Sequence, residues 1–234
     1  KAGFAESSQT LDILTTIMNA YGMSAEEVTT VSDQLIATQN MGKTTVAELS
    51  ANMGKVIPTA KAFNVGLDQV NTGYVKLTAN GIKTAESTTY MNAMLNELGK
   101  TGSITDGILR EKTGKSFSEL MESGSSLGDV LEIVDQAAKD QNKSMTDMFS
   151  SSEAAKAGLV LVKDGADGFN DSLDKMRNSA GATDTAFEKM QTKSEKMKIA
   201  VNEVKNSAIE FGTTLMNSLE PTINKIAEII KTLT

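Results

Sequence analysis

The chain has 234 residues, of which 39% are hydrophobic and only 4% aromatic. It carries 30 acidic and 23 basic residues, a formal net charge of −7, with no window of clustered Lys and Arg. This balance argues against a nucleic-acid-binding surface, which needs concentrated positive charge. Cys, His and Trp are absent, which excludes disulfides, thiolate and imidazole chemistry, and the Cys and His ligands of structural zinc.

The length allows one large domain or two small ones. The core must be built from Leu, Ile, Val, Ala and 13 Met, and Met packs adaptably. The densest apolar run, Gly158–Val162, is far shorter than the roughly 18 to 20 residues of a membrane span. No signal-peptide pattern opens the sequence. The chain begins at Lys1 rather than Met, which predicts a fragment of a longer protein.

Helical hairpins are predicted over residues 7–98. Apolar residues spaced by three or four over Leu11–Tyr21 indicate an amphipathic helix that ends at Gly22. A capping box at Ser24–Glu27, in which Ser and Glu each bind the other's backbone amide, opens a second helix that extends to Met41. The predicted inward face of the first helix consists of Leu11, Leu14, Ile17, Met18 and Tyr21.

A second capping box, Thr45–Glu48, opens the third helix. The predicted inward stripe of this helix consists of Leu49, Met53 and Val56. Pro58 lacks a backbone amide and disfavours the helical conformation of Ile57, so the sequence predicts a kink or break there.

The next helix is predicted over 69–79, with Asn80-Gly81 as its left-handed end. Thr84 is expected to cap a further helix, which Gly99 closes. Residues 100–128 are the least regular part of the sequence, since short apolar pairs lie among Gly and Ser. We expect short helices there.

Helical spacing returns over 127–177. The sequence predicts a helix over 127–139, a short one that begins at Ser144, and another over 169–177. The apolar run at 153–162 fits either a strand or a helix, and its alanines favour helix. No β-hairpin pattern occurs anywhere. The predicted fold class is all-α, a multi-helix array of short capped helices followed by a long C-terminal helix.

The sequence predicts a boundary in the Gly, Ser and Ala-rich stretch that follows a compact helical body at 1–177. Residues 178–184 are predicted to be a linker or hinge, and 185–234 a long helical segment broken near Pro221. The apolar stripe Ile223–Leu233 has three open roles. It could dock on the body, pair with another copy, or lead into a further helix.

Two glycine-rich stretches superficially resemble a phosphate-binding loop. Gly114-Lys115-Ser116 lacks the earlier Gly that a Walker A motif requires, because position 109 is Leu, and it follows no strand. Gly99–Ser103 is likewise interpreted as a loop between helices. Asp164–Gly168 lacks the alternating oxygen ligands of a calcium loop and is interpreted as a helix C-terminal turn.

No glycosidase motif sets any acidic pair apart, and aromatic sugar platforms are scarce. The sequence therefore predicts that the segment is not an enzyme, and it offers no catalytic, cofactor-binding or metal-binding residues.

Several segments resemble the core region of phage tail tape measure proteins. Asn178–Met190 (NSAGATDTAFEKM) resembles the passage from that core region into its last helices. Lys112–Phe117 with Glu119–Met121, followed by Ser126–Leu131, looks like the middle of the family's core region.

Two more segments extend the resemblance. Ser144–Ala157 (SMTDMFSSSEAAKA) resembles a step that the family usually writes as Leu-Phe-Gly before an Ala-rich helix. Here Phe149 is kept and Ser150 replaces the Gly, so the sequence does not decide whether the tight turn forms. Val204–Pro221 resembles the downstream helix. Together the resemblance covers most of residues 10–221.

The resemblance implies a structural protein of a phage, a prophage or a related contractile injection system. Such proteins occupy the tail lumen, set tail length during tube polymerisation and leave the tail ahead of DNA. Implied partners are tail tube and tail tip or baseplate proteins, tail assembly chaperones and, through the C-terminal helix, another copy. The implied location is the virion tail lumen, with the host cytoplasm during assembly. No cofactor, direct nucleic-acid binding or membrane span is expected in this segment.

Two other functional classes stay open from the sequence. One is a secreted or surface-associated helical binding module, such as an effector or adhesin stalk. The other is a cell-wall hydrolase.

Overall fold

The computed structural model describes residues 7–190 and the isolated positions Asn206, Ile209 and Thr213. Residues 7–190 form twelve α-helices, and no strand occurs among the described residues. The all-α prediction is therefore confirmed. The predicted long helix beyond Met190 and its break near Pro221 lie outside the described range.

The helices are α1 (Ser7–Tyr21), α2 (Val28–Met41), α3 (Val46–Asn52), α4 (Ile57–Ala62), α5 (Leu67–Ala79), α6 (Thr84–Gly99), α7 (Ile104–Thr113), α8 (Phe117–Glu122), α9 (Leu127–Asp140), α10 (Ser152–Leu161), α11 (Gly165–Arg177) and α12 (Ala182–Met190). Short 3₁₀ turns occur at Ala25–Glu27, Met53–Lys55 and Met145–Met148.

The helix ends in the first half follow their local sequence signals. Gly22 and Gly81 adopt the left-handed conformation, with φ of 68° and 89°, and they end α1 and α5 as predicted. The break before Pro58 is also confirmed. A 3₁₀ turn at Met53–Lys55 follows α3, and α4 begins at Ile57 with Pro58 in its first turn, where a missing amide is harmless.

Both predicted capping boxes are present. The Thr45 hydroxyl accepts from the Glu48 amide at 3.1 Å, and the Glu48 carboxylate accepts from the Thr45 amide at 3.0 Å. At the other box the Ser24 amide donates to the Glu27 carboxylate at 2.8 Å. The residues after Ser24 form a 3₁₀ turn that continues into α2, instead of a regular helix from Ala25.

The predicted inward face of α1 is wrong at Leu11, which is 61% exposed. The buried positions are Ile13 and Ile17, and α1 packs through this face on α3 and α4. At about 100° per residue, Leu11 lies roughly 200° around the helix from Ile13, so both cannot face the core.

The predicted cap of α6 is also wrong by one position. Lys83 has the extended backbone of an N-cap residue, and Thr84 is the first helical residue. The Thr84 hydroxyl lies 2.7 Å from the Thr44 hydroxyl and is buried with it. Its role is therefore a tertiary contact instead of a cap.

The second half of the body confirms helices where the sequence was ambiguous. Residues 100–128 contain the short helices α7 and α8, and the apolar run at 153–162 belongs to helix α10. The short helix predicted from Ser144 is a 3₁₀ turn, Met145–Met148, and Ser144 precedes it as the N-cap.

The chain divides into two units after Ala186. The first unit contains one principal hydrophobic core, whose largest fully buried side chains include Tyr74, Phe117 and Phe169. Several methionines, among them Met91 and Met94, are completely buried, so Met supplies core volume that aromatic residues do not.

Helix α5 lies at the centre of this unit and contacts α2, α6, α10 and α11. Every residue of α5 from Gln69 to Thr78 is buried. A helix buried on all sides is usually apolar all round. Here Gln69, Asn71, Thr72, Lys76 and Thr78 are polar.

Two tyrosine hydroxyls are fixed inside this unit. The Tyr21 hydroxyl donates to the Val65 carbonyl at 2.9 Å, and the Tyr74 hydroxyl lies 2.6 Å from the Thr88 hydroxyl. Burial raises the pKa of both phenols, and the nearby Asp68 charge adds to the increase for Tyr21.

Candidate functional site

The glycine-rich stretches serve as helix junctions. Gly114 ends α7, and the Ser116 hydroxyl accepts from the Glu119 amide at the start of α8. In the other stretch the Gly102 amide donates to the buried Asp106 carboxylate at 2.9 Å. These residues satisfy helix ends, so the prediction that neither stretch is a phosphate loop fits their geometry.

Asp164–Gly168 does not form the predicted helix C-terminal turn. Asp164 is the N-cap position of α11, which begins at Gly165. The Asp164 carboxylate accepts a hydrogen bond from the Lys76 ammonium at 2.9 Å, and this contact lowers the pKa of Asp164. The contact with Lys76 on α5 therefore stabilises Asp164 at the position where α11 begins.

The described residues contain no group of three or more His, Cys, Asp or Glu side chains placed to hold a metal ion. Within the same part of the chain, no helix is long and apolar enough to cross a membrane.

A surface groove of about 460 Å³ lies along the exposed side of α9. Its lining mixes both signs of charge with apolar side chains: Lys112, Asp129, Glu132, Ile133, Gln136 and Ala137. Since no single charge dominates, the groove does not select one class of ligand.

Hydrogen bonds at the helix N-termini join different helices of the body. Side chains on earlier helices accept hydrogen bonds from backbone amides at or next to the first turn of later helices. We call these contacts fastenings. The first four amides of a helix have no partner within it, so each fastening satisfies donors that would otherwise need water or a local cap.

The Glu97 fastening joins α6 to the start of α10. The Glu97 carboxylate accepts from the Ser150 amide at 2.5 Å, the Ser151 amide at 2.9 Å and the Ser151 hydroxyl at 2.5 Å. Further along, the Lys156 ammonium lies 5.4 Å from the centre of the Tyr90 ring, so α10 runs antiparallel to α6.

This arrangement answers the question of the tight turn at Ser150. Asn64 and Asn142 are the non-glycine residues with positive φ in the described part of the chain, and Ser150 is not among them. The turn therefore needs no glycine, and the Ser150 amide has a partner in Glu97.

Two glutamines make fastenings of the same kind. The Gln69 side chain, buried on α5, accepts from the Leu127 amide at 2.6 Å and donates to the Ser125 carbonyl at 3.4 Å. The Gln39 side chain on α2 accepts from the Val46 amide at 2.8 Å. They hold the starts of α9 and α3, respectively.

The fourth fastening lies in the predicted linker. The Asp33 carboxylate on α2 accepts from the Gly181 and Thr183 amides, each at 2.8 Å. Burial disfavours ionisation of Asp33, but the hydrogen bonds from Thr183 and Gly181 outweigh it and lower its pKa. Residues 181–183 are thus attached to the body and belong to the first of the two units, which extends to Ala186. The hinge at 178–184 stays a prediction.

The polar residues of α5 form further contacts with its neighbours. The Lys76 ammonium, which is almost buried, donates to Asp164 and to the Gly168 carbonyl on α11. The Asn71 amide donates to Gln34 on α2, and the Thr78 hydroxyl accepts from the Lys43 amide. These contacts fix the register of α5 against the surrounding helices and have no visible catalytic use.

The fastening residues were not singled out from the sequence. The partners of Glu97, Gln69 and Asp33 lie more than 50 residues away along the chain, so no local spacing reveals them. Gln39 and Val46 are seven positions apart, a spacing that matches no capping motif. The capping boxes, in contrast, join residues three positions apart.

Residues 1–151 match the model of a protein family described as "Phage-related minor tail protein". A protein of Clostridium phage phiCD119 described as "Probable tape measure protein" is 37% identical over 227 residues, which cover 94% of this chain and 24% of that protein. The chain thus spans about a quarter of the length of this curated relative. No solved structure matches the chain. Since the family model covers more than half of the sequence, and the predicted tape measure resemblance is confirmed, the chain belongs to the phage-related minor tail protein family.

Proposed function

We propose that this chain is a folded helical module of a tape measure protein. Its role is structural: it takes part in tail assembly, in tail length determination and in the passage of DNA through the tail. The observation that carries the proposal is the 37% identity to the "Probable tape measure protein" of phage phiCD119 over almost the whole chain. Neither of the two matching descriptions names an enzyme.

The folded form of the body bears on how the module contributes to tail length. The longest helix described, α6, has 16 residues, which is about 24 Å at about 1.5 Å per residue. A single unbroken helix of the whole chain would be about 350 Å long by the same rule. Because the described helices are short and pack on one another, we infer that the part that measures length lies mainly outside this chain.

The same proposal includes partners and location. Tail tube proteins, tail tip or baseplate proteins and tail assembly chaperones are the proposed partners, with self-association through the C-terminal segment as a further contact. The proposed location is the lumen of the virion tail, after assembly in the host cytoplasm. The fastenings support a module that keeps its fold while it contacts such proteins, since they tie helix starts to earlier helices.

An in-frame deletion of residues 10–221 in the phage that encodes this sequence tests the proposal. Tail lengths of the mutant particles are measured by negative-stain electron microscopy. We expect failed or defective tail assembly, or tails shortened by much less than the roughly 320 Å of an equally long helix. A deletion of equal length elsewhere in the same gene serves as the control and should shorten the tail in proportion.

Three results would contradict the proposal. Shortening of about 320 Å, the length of a fully helical segment at about 1.5 Å per residue, would make this segment part of the ruler itself. Binding of antibodies against the chain to intact virions or cells would instead support a surface-associated binding module. A clear band on a peptidoglycan zymogram would show a cell-wall hydrolase.

A further inference from the structure

The start of α12 is held on the body by a buried carboxylate. Asp33 is only 4% exposed, and its two carboxylate oxygens accept from the Gly181 and Thr183 amides at 2.8 Å each. Gly181 has a φ of 80°, a conformation that favours glycine, so both amides can face the same carboxylate. A negative charge at the start of a helix also interacts favourably with the helix dipole.

The first residues of α12, 182–186, offer only small apolar side chains to the core. Among residues 182–186, Ala182 and Ala186 pack against the core, and both are only partly buried and present one methyl group each. The other helices fastened by a charged or amide side chain differ in this respect. For example, α9 buries Leu131 and Val134, and α10 buries Leu161.

The packing beneath α12 is also incomplete. A cavity of about 120 Å³ lies between α1, α2, α3 and the start of α12, and its walls include Leu14, Ile36 and Val46. Thr183 lines the same cavity. The side chains around an unfilled space lose van der Waals contacts on that side, so the packing under this helix start is weaker than in a filled core.

From these three observations we propose that Asp33 is a releasable clasp. Breaking its two hydrogen bonds lets the start of α12 leave the body while α1 to α11 remain folded. The clasp is suited to release because two hydrogen bonds and two alanine methyl groups, with no large apolar side chain among residues 182–186, hold this helix start. In the closed state it fixes where the chain leaves α11, and in the open state residues 178–186 become available as extended chain.

Native-state hydrogen exchange on the full chain, read by NMR at single amides, tests the clasp. In the unaltered chain we expect the Gly181 and Thr183 amides to exchange at least about tenfold faster than the buried amides of α5, with rates that low urea leaves unchanged. In Asp33→Asn we expect these two amides to exchange faster again, by about tenfold or more, because a charged acceptor is lost. Exchange in α5 and α6 should not change.

Asp106→Asn is the matched control. Asp106 lies on a different helix, α7, and is similarly buried, with 5% of its surface exposed. Its carboxylate accepts a hydrogen bond from the Gly102 amide at 2.9 Å. Its replacement should speed exchange at Gly102 and leave Gly181 and Thr183 unchanged.

The clasp is overturned if Gly181 and Thr183 in the unaltered chain exchange only at the rate of global unfolding. It is also overturned if Asp33→Asn speeds exchange in α5 as much as in α12. The first measurement needs no variant, so it decides the question even if Asp33→Asn does not fold. Tail-length results from the deletion experiment are independent of this outcome.

Discussion

Gly128 shows how closely two helices approach. A Cβ atom at Gly128 on α9 would lie 2.8 Å from the Phe169 Cβ and 3.2 Å from the Ala166 carbonyl oxygen on α11. Neither neighbour is the free end of a flexible side chain. The absence of a side chain at this position therefore sets the distance between α9 and α11.

Gly128→Ala should destabilise the body by about 1 to 2 kcal/mol, because the overpacking cost exceeds the gain in helix propensity. The change in the free energy of unfolding is measured by urea titration with circular dichroism. Gly107→Ala is the control: Gly107 lies exposed within α7, and a Cβ there would meet nothing within 4 Å. This variant should gain roughly 0.5 to 1 kcal/mol. If Gly128→Ala and Gly107→Ala changed the free energy of unfolding equally, a close approach of α9 and α11 at Gly128 would be contradicted.

Asp129 predicts a pH dependence. Its carboxylate accepts from the Ser126 amide at 2.8 Å and from the Asn170 side chain at 2.9 Å. Burial opposes ionisation, but the hydrogen bonds from Ser126 and Asn170 prevail and lower the pKa of Asp129.

Since the pKa of folded Asp129 is below that of the unfolded chain, its stabilisation is complete above the ordinary Asp pKa of about 3.9. It is lost as the pH falls through the folded value. Urea titrations from pH 6 to pH 3 should therefore show a stability advantage of the unaltered chain over Asp129→Asn that shrinks only at the acidic end. An advantage that does not change with pH would rule out this role of the carboxylate.

At the scale of single elements, the sequence predicted what depends on neighbouring residues. Thr45 and Glu48 lie three positions apart, and Pro58 acts on its own turn, so their effects were visible in the sequence. The exposure of Leu11 and the tertiary role of Thr84 depend on which other helix is close, and no local pattern contains that information.

The candidate site was less predictable than the fold. Glu97 is an ordinary acidic residue in the sequence, and only the fold places it against Ser150 and Ser151. Asp33 is similar: a single acidic residue on an amphipathic helix suggests solvent exposure, yet it is buried against residues 181–183.

Glu97→Ala should destabilise the body by about 1.5 to 3 kcal/mol, since the variant leaves the amides at the start of α10 without their charged acceptor. Urea titration gives the free energy, and hydrogen exchange should show the loss of protection first at Ser151. The control is Glu111→Ala on the exposed side of α7, which should change stability by less than about 0.5 kcal/mol. If Glu97→Ala and Glu111→Ala had the same free energy of unfolding, the Glu97 hydrogen bonds would not contribute to the stability of the body.

At the scale of the whole body, α5 connects elements that are distant in sequence. It contacts α2, α6, α10 and α11, and its polar residues bind partners on several of them. Buried polar groups are unfavourable unless they are paired, so these contacts favour one register of α5 over all others. The sequence predicted the helix but not its central position, because half-polar composition usually indicates a surface helix.

The central position of α5 predicts how the body opens. The amides of Val70 to Leu77 should be the slowest to exchange with deuterium, at rates set by global unfolding. Helix α1, with an exposed Leu11, should exchange faster. Amide exchange followed over days by NMR measures both sets at once. If the amides of α1 exchanged more slowly than those of α5, α5 would not be the most stable part of the body.

The two fixed tyrosine hydroxyls make the fold sensitive to alkali. Tyr21 and Tyr74 both have a raised pKa in the folded chain, so the stabilisation they provide is complete below the ordinary Tyr pKa of about 10 and is lost as the pH rises above it. Because Trp is absent and Tyr occurs three times, tyrosinate absorbance near 295 nm reports on these phenols with no indole background. An alkaline titration should thus show Tyr21 and Tyr74 ionising late, together with the loss of helix, and the chain provides its own optical signal for unfolding.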